Sequence, residues 1–201
     1  FLNNPSFNCG GTGTRNDPYL ICSEADLRQL STYVNAGASF NGVYFKLAVN
    51  IQMQQGAFTP IGSPTTPFEG TFFGAGHSIT NLTMTNTGTA NRGLFGYVRG
   101  AYIDSVTVGG TINGGDKSGA IVGEADNSII RYCTNNASVQ GSYQYHGGIV
   151  GYMNASTVED CKNTALISDA AYYHAGIVGY STGASVIRRC KNTGTINGYS
   201  Y

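Results

Sequence analysis

From about residue 92 onward the chain repeats itself every 27 or 28 residues, a period that restricts the fold to stacked repeat architectures. Gly93-Leu94-Phe95-Gly96-Tyr97 returns as Ala120-Ile121-Val122-Gly123-Glu124, then Gly148-Ile149-Val150-Gly151-Tyr152, then Gly176-Ile177-Val178-Gly179-Tyr180. A second phase keeps the same beat with Ile103-Asp104-Ser105-Val106, Ile130-Arg131-Tyr132-Cys133, Val158-Glu159-Asp160-Cys161 and Ile187-Arg188-Arg189-Cys190. A third closes each unit with Val106 to Ile112, Cys133 to Val139, Cys161 to Ile167 and Cys190 to Ile196.

These apolar runs are β-branched and too short for helices, so they read as three strands per unit separated by Gly, Asn, Ser and Thr. Near-constant unit length with small or polar corners predicts one β-solenoid turn per repeat, with equivalent positions stacked about 4.8 Å apart. A β-propeller is the rival, but its blades need about 40–50 residues.

Stacking gives each column a physical meaning. Asp104, Arg131, Glu159 and Arg188 alternate in sign, so neighbours one turn apart would attract. Asn135, Asn163 and Asn192 predict an amide ladder at a corner. Cys133, Cys161 and Cys190 predict a column of small buried thiols, with an oxidised pair plus one odd thiol as the alternative.

Residues 1–40 differ from the rest and read as an extension plus a cap, with the β-helix over 41–201. Asp17-Pro18-Tyr19-Leu20-Ile21 is a turn and short strand. Ser23 is placed to N-cap a helix with Glu24 and Asp26 in its first turn, apolar at Leu27, Leu30, Tyr33 and Val34, and ended at Asn35-Ala36-Gly37. An amphipathic helix is the expected cover for an open solenoid end. Residues 43–53 read as one strand, followed by irregular early turns around Phe58-Thr59-Pro60-Ile61-Gly62, Phe68-Glu69-Gly70-Thr71-Phe72 and Ser78-Ile79. Cys9 and Cys22 enclose a short Gly-rich loop that suits a disulfide formed in an oxidising compartment.

The ordered series Gly11-Thr12-Gly13-Thr14, Asp17-Pro18-Tyr19-Leu20-Ile21, the helix, Tyr44-Phe45-Lys46-Leu47, Thr59-Pro60-Ile61-Gly62, Phe68 to Phe72 and Gly76-His77-Ser78-Ile79 resembles a bacterial cell-surface family with GLUG-motif repeats. Gly-Leu-Phe-Gly-Tyr and Gly-Ile-Val-Gly-Tyr are its repeat, and the resemblance spans about residues 11–196. It implies a right-handed parallel β-helix in secreted or surface-anchored, often adhesin-like proteins, with no general catalytic residues to carry over. Ala120 and Glu124 depart from the pattern and remove one aromatic from a stack.

Composition narrows the function. Lys plus Arg and Asp plus Glu are 11 each, so there is no basic surface for nucleic acid. No apolar run is long enough to span a membrane. The chain starts at Phe1 without a leader pattern, which points to a removed leader or an excised piece. Sequons at Asn81, Asn136 and Asn154 fit N-glycosylation if the protein is exported from a glycosylating cell.

Tyr145-His146 and Tyr173-His174 sit at equivalent positions, with Lys117 and Ser118 one unit earlier. They are expected to form an exposed ladder two rungs long, a candidate ligand-binding surface that lacks the third ligand a zinc ion needs. Tyr97, Tyr152 and Tyr180 are expected to stack, with a carbohydrate platform as the functional alternative. The only close acidic pairs late in the chain are Glu124 with Asp126 and Glu159 with Asp160, so hydrolase or lyase chemistry lacks its site. The reading is an all-β, non-catalytic, extracellular β-solenoid without cofactors. It serves as an adhesin module on a glycan or protein, or as a subunit of a head-to-tail filament. A carbohydrate-binding or polysaccharide-cleaving β-helix is the alternative.

Overall fold

The computed structural model describes residues 7–85, 90–141, 143–169 and 172–198. Phe1 to Ser6 and Tyr199 to Tyr201 lie outside them.

The first sheet has seven strands: Tyr19–Ile21, Tyr44–Leu47, Thr71–Phe73, Tyr102–Asp104, Ile129–Arg131, Thr157–Glu159 and Val186–Arg188. Every pairing is parallel, and spatial order equals sequence order. The chain therefore completes one circuit between each strand and its neighbour, which is what defines a solenoid. A second sheet stacks Phe95–Arg99, Val122–Asp126, Val150–Asn154 and Val178–Thr182. A third runs from Ile51–Gln52 and Ser78–Met84 through Thr107–Gly114 and Thr134–Gly141. It then splits into Lys162–Asn163 with Ile167–Asp169, and Lys191–Asn192 with Ile196–Asn197.

Two expectations are corrected. The repeat holds four strands, because Ser118–Gly119, His146–Gly147 and His174–Ala175 form a further short sheet. Two-residue strands that pair a polar residue with Gly or Ala carry no apolar alternation to mark them in the sequence. The single strand expected over 43–53 is two, Tyr44–Leu47 and Ile51–Gln52, because the chain turns a corner between them. Around Ile61 and Phe68 the early turns make only isolated bridges, to Phe95 and Val98.

Three columns of left-handed residues turn the chain at its corners. They are Gly100, Asn127, Ala155 and Gly183; Ser105, Tyr132, Asp160 and Arg189; and Asn91, Lys117, Tyr145 and Tyr173, with φ between 45° and 66°. A residue with a Cβ in this region costs roughly 1–2 kcal/mol, so the surrounding sheets hold these corners against their own preference. At the first corner the register between the second and first sheets lengthens by one residue in the last turn. Asn154 pairs with Thr182, 28 positions on, whereas Ser156 bonds Ser185, 29 positions on.

The circuit encloses one apolar core. Its early part is filled by Phe45, Phe58, Phe68, Phe72 and Phe95, with ring centroids 5.0 Å apart for Phe68 and Phe95. Later turns use Ile121, Val122, Ile149, Val150, Ala137 and Cys133, all fully buried. The glycines of the repeat mark where backbones cross: a Cβ on Gly151 would stand 2.5 Å from the Lys117 carbonyl carbon.

The helix Glu24–Asn35 seals the first turn. Ser23 Oγ accepts the Asp26 amide at 3.1 Å, as expected of an N-cap. Leu27, Leu30 and Val34 are fully buried in the core. On the flank, Ser31 Oγ donates to the Thr59 carbonyl and Asn35 Nδ2 to that of Pro60, while Arg28 donates to the carbonyls of Gln55, Gly56 and Ala57. The outer edge of the first strand is covered too, because the Leu20 amide donates to Gly10 and the Cys9–Cys22 disulfide closes that loop. Buried Asp26 ties the loop to the helix by accepting the Asn8 and Cys22 amides, each at 3.2 Å.

Candidate functional site

The charge column is in register: Asp104 pairs with Arg131, Arg131 with Glu159, and Glu159 with Arg188. Arg131 Nε reaches Asp104 at 2.7 Å and Arg188 Nε reaches Glu159 at 2.5 Å. Arg189 adds bonds to Glu159 at 3.1 Å and Asp160 at 2.7 Å, and this holds the Asp160 carboxyl below its usual range. Arg188 and Arg189 are more than half exposed and Arg131 is partly exposed, so each pair stabilises weakly and serves chiefly to fix register.

The asparagine column forms a continuous ladder. Asn135 Nδ2 donates to Asn163 Oδ1, and Asn163 Nδ2 to Asn192 Oδ1, both at 2.7 Å. Each Oδ1 also accepts the amide two residues ahead in its own turn, at Ala137, Ala165 and Gly194. Cys133, Cys161 and Cys190 are free and stacked. The bond with Cys133 together with burial pushes the Cys161 thiol up, and the bond with Cys161 together with burial does the same to Cys190, so the Cys161 and Cys190 thiols stay protonated and unreactive. A serine ladder went unrecognised in the sequence. Ser128, Ser156 and Ser185 each accept an amide from the preceding turn, from Ala101, Ser128 and Ser156. Its signal was there, at spacings of 28 and 29, hidden by the many other serines.

The predicted Tyr/His pair is placed together but differently from expectation. His146 pairs with His174 and Ser118 as the spacing required, yet His146 is fully buried and His174 half-buried. The imidazoles point into the turn rather than forming an exposed ladder, because their column alternates with the outward tyrosines at the corner. Burial first, and then the neighbouring His174, lower the His146 pKa to about 4.

The tyrosines make the outer surface instead. Tyr145 and Tyr173 stack with centroids 5.4 Å apart and planes 20° from parallel. Tyr152 and Tyr180, on the adjoining sheet, stack at 5.6 Å and 16°. The two stacks meet at 67° and 72°, forming an aromatic corner with Tyr173 56% exposed. Lys117 begins this corner one turn earlier, its Nζ 4.7 Å from the Tyr152 ring and bonded to Glu124. Tyr145 and Tyr173 occupy the left-handed corner column, where a bulky residue is strained. Strain of this kind gathers at working surfaces.

Among the sequons, Asn81 and Asn136 are exposed. The half-buried Asn154 spends its amide on Asp126 at 2.8 Å. Cys9, Cys22 and Asp26 are the cluster of potential metal ligands among the described residues, but the two sulfurs are joined as a disulfide.

Fold and columns together define a parallel β-solenoid repeat protein with a sealed first turn. The model of the GLUG motif matches residues 170–197, so the chain carries that motif, and motif and solenoid together fit a GLUG-motif β-helix family. Halomucin of Haloquadratum walsbyi is 29% identical over 57% of this chain and 2% of its own length. A "Putative Gly-rich membrane protein" of Evansella cellulosilytica is 33% identical over 44% of this chain and 10% of its own. The chain thus spans a small fraction of these relatives. A solved structure from Bacteroides ovatus, described as a "putative immunoglobulin A1 protease", superposes over 94% of this chain and 69% of that one, with a TM-score of 0.66 and 20% identity. That likeness is one of fold. No helix among the described residues is long and apolar enough to cross a membrane.

Proposed function

We propose that this chain is a non-catalytic, extracellular β-solenoid module that presents its tyrosine corner to a glycan or protein ligand. The observation that carries the reading is the pair of outward tyrosine stacks, one of which, Tyr145 on Tyr173, stands on left-handed corner positions. The disulfide supports an oxidising location. Against a polysaccharide-cleaving role stand the acids of the solenoid faces: Asp104, Glu124, Asp126, Glu159 and Asp160 are all paired with Lys or Arg.

Self-association into a filament is the second reading. Val186, Ile187 and Ile196, on the last strands described, are 43%, 47% and 44% exposed. At the opposite end, among the described residues, the helix covers the core and the disulfide loop covers the outer edge of Tyr19–Ile21, which disfavours head-to-tail stacking there. That asymmetry favours the adhesive reading.

A glycan array probed with the wild type and with Tyr145→Ala/Tyr173→Ala/Tyr180→Ala, alongside light scattering against concentration, tests both. Binding lost in the triple variant, with an unchanged circular dichroism spectrum, is the expected result. Identical array profiles would remove the adhesive reading, and growth in scattered mass with concentration would favour the filament.

A further inference from the structure

We infer that the stacked lysines Lys162 and Lys191 bind an acidic glycan, a linear polymer whose sugars carry carboxylates. Where the strand registers join two charged residues, Arg99 meets Asp126, Asp104 meets Arg131, Arg131 meets Glu159 and Glu159 meets Arg188, all of opposite sign. Among the described residues, Lys162 with Lys191 alone joins like signs. Both lysines are exposed. Two cations on neighbouring strands about 4.8 Å apart repel and oppose the pairing.

No described residue relieves that repulsion. Thr134, one turn before Lys162, is neutral. The acids closest in sequence, Glu159 and Asp160, are held by Arg188 and Arg189, and neither lysine forms an ion pair with a described residue. A ligand with anionic groups strung along the solenoid axis would supply the missing countercharge. An acidic glycan fits, with one carboxylate per sugar, because flexible lysine stems let the ammonium groups reach neighbouring or alternate sugars. Two residues on, on the same face, stand Thr164 and Thr193. Their hydroxyls donate to the carbonyls of Asn135 and Asn163, which leaves the hydroxyl oxygens as acceptors for sugar hydroxyls. Two unpaired cations are too few for a membrane surface or a nucleic acid, both of which need larger basic clusters. The lysines begin their strands of the third sheet, whereas Tyr145 follows the end of that sheet at Gly141, so this surface lies apart from the tyrosine corner.

The site shares with the adhesive reading only its extracellular setting. Biolayer interferometry on the whole chain at low ionic strength tests it, with immobilised polygalacturonate as the probe and dextran as the neutral control. The wild type should bind polygalacturonate and not dextran, and should lose that binding in 1 M salt. Lys191→Gln should weaken binding about three- to fivefold, and Lys162→Gln/Lys191→Gln should abolish it. Lys46→Gln, at an exposed lysine of the first sheet, should bind as the wild type does. So should the triple tyrosine variant, which separates failure of this surface from failure of the tyrosine corner. Lys191→Glu reads the repulsion itself: it should raise the urea midpoint at low salt while abolishing binding. Absence of binding to polygalacturonate, binding that survives the double substitution or falls equally with Lys46→Gln, or tighter binding to phosphatidylserine vesicles or single-stranded DNA would each overturn the proposal. An unchanged urea midpoint in Lys191→Glu would do the same.

Discussion

Asn135 Nδ2 donates to Asn163 Oδ1 at 2.7 Å, joining side chains 28 residues apart in the chain and one turn apart in space. Both are fully buried, so the bond has no water to replace it. Asn163→Leu removes it, along with the bond onward to Asn192, and strands the Asn135 amide and the Ala165 N–H. We expect a loss of about 2–4 kcal/mol in urea unfolding. Asn192→Ala, at an exposed rung, should cost less than about 1 kcal/mol.

The charge column makes a prediction about sign. Arg131 stands between Asp104 and Glu159, so Arg131→Glu would set three acids in succession. Unfolding at low ionic strength should show a loss of about 1 kcal/mol, largely recovered in 1 M salt. Arg131→Gln should cost less and respond little to salt.

Acid should act through His146. Its folded-state pKa of about 4 lies below the ordinary 6.5, so the unfolded chain takes up a proton first. The contribution of the neutral imidazole is complete above pH ~6.5, declines between pH ~6.5 and ~4, and is exhausted below. The full loss is about 3 kcal/mol. His146→Ser, which copies Ser118 one turn earlier, should remove this part of the pH dependence while the carboxylate part remains. Denaturant titrations at pH 7, 5.5 and 4 on both proteins measure the difference.

Ala155 sits in a left-handed corner, φ 45°, in a column whose other members include Asn127 and Gly183. Asn tolerates this region, so Ala155→Asn should raise stability by about 0.5–1 kcal/mol, read as a shift in thermal midpoint.

What could be read in the sequence was whatever repeats as a chemical type. The registers of Asp104 to Arg188, Asn135 to Asn192 and Cys133 to Cys190 were all legible, because one residue type or an alternating charge recurs at the period. The helix was legible because Ser23 caps it and its apolar spacing is regular. The short sheet of Ser118–Gly119 was not, since a strand made by backbone alone leaves no side-chain pattern. His146 was misplaced outward because alternation in and out of a corner depends on left-handed residues, and Tyr145 in that state is a choice imposed by neighbouring turns rather than by its own preference.

The extra residue taken up between Thr182 and Ser185 shows where this winding has slack. Strands on both sides of it keep their partners, so growth at that notch is invisible to the rest of the spool. Foreign peptides spliced in after Gly183 should therefore be displayed without unwinding the coil, and natural variants should differ in length there sooner than along any face.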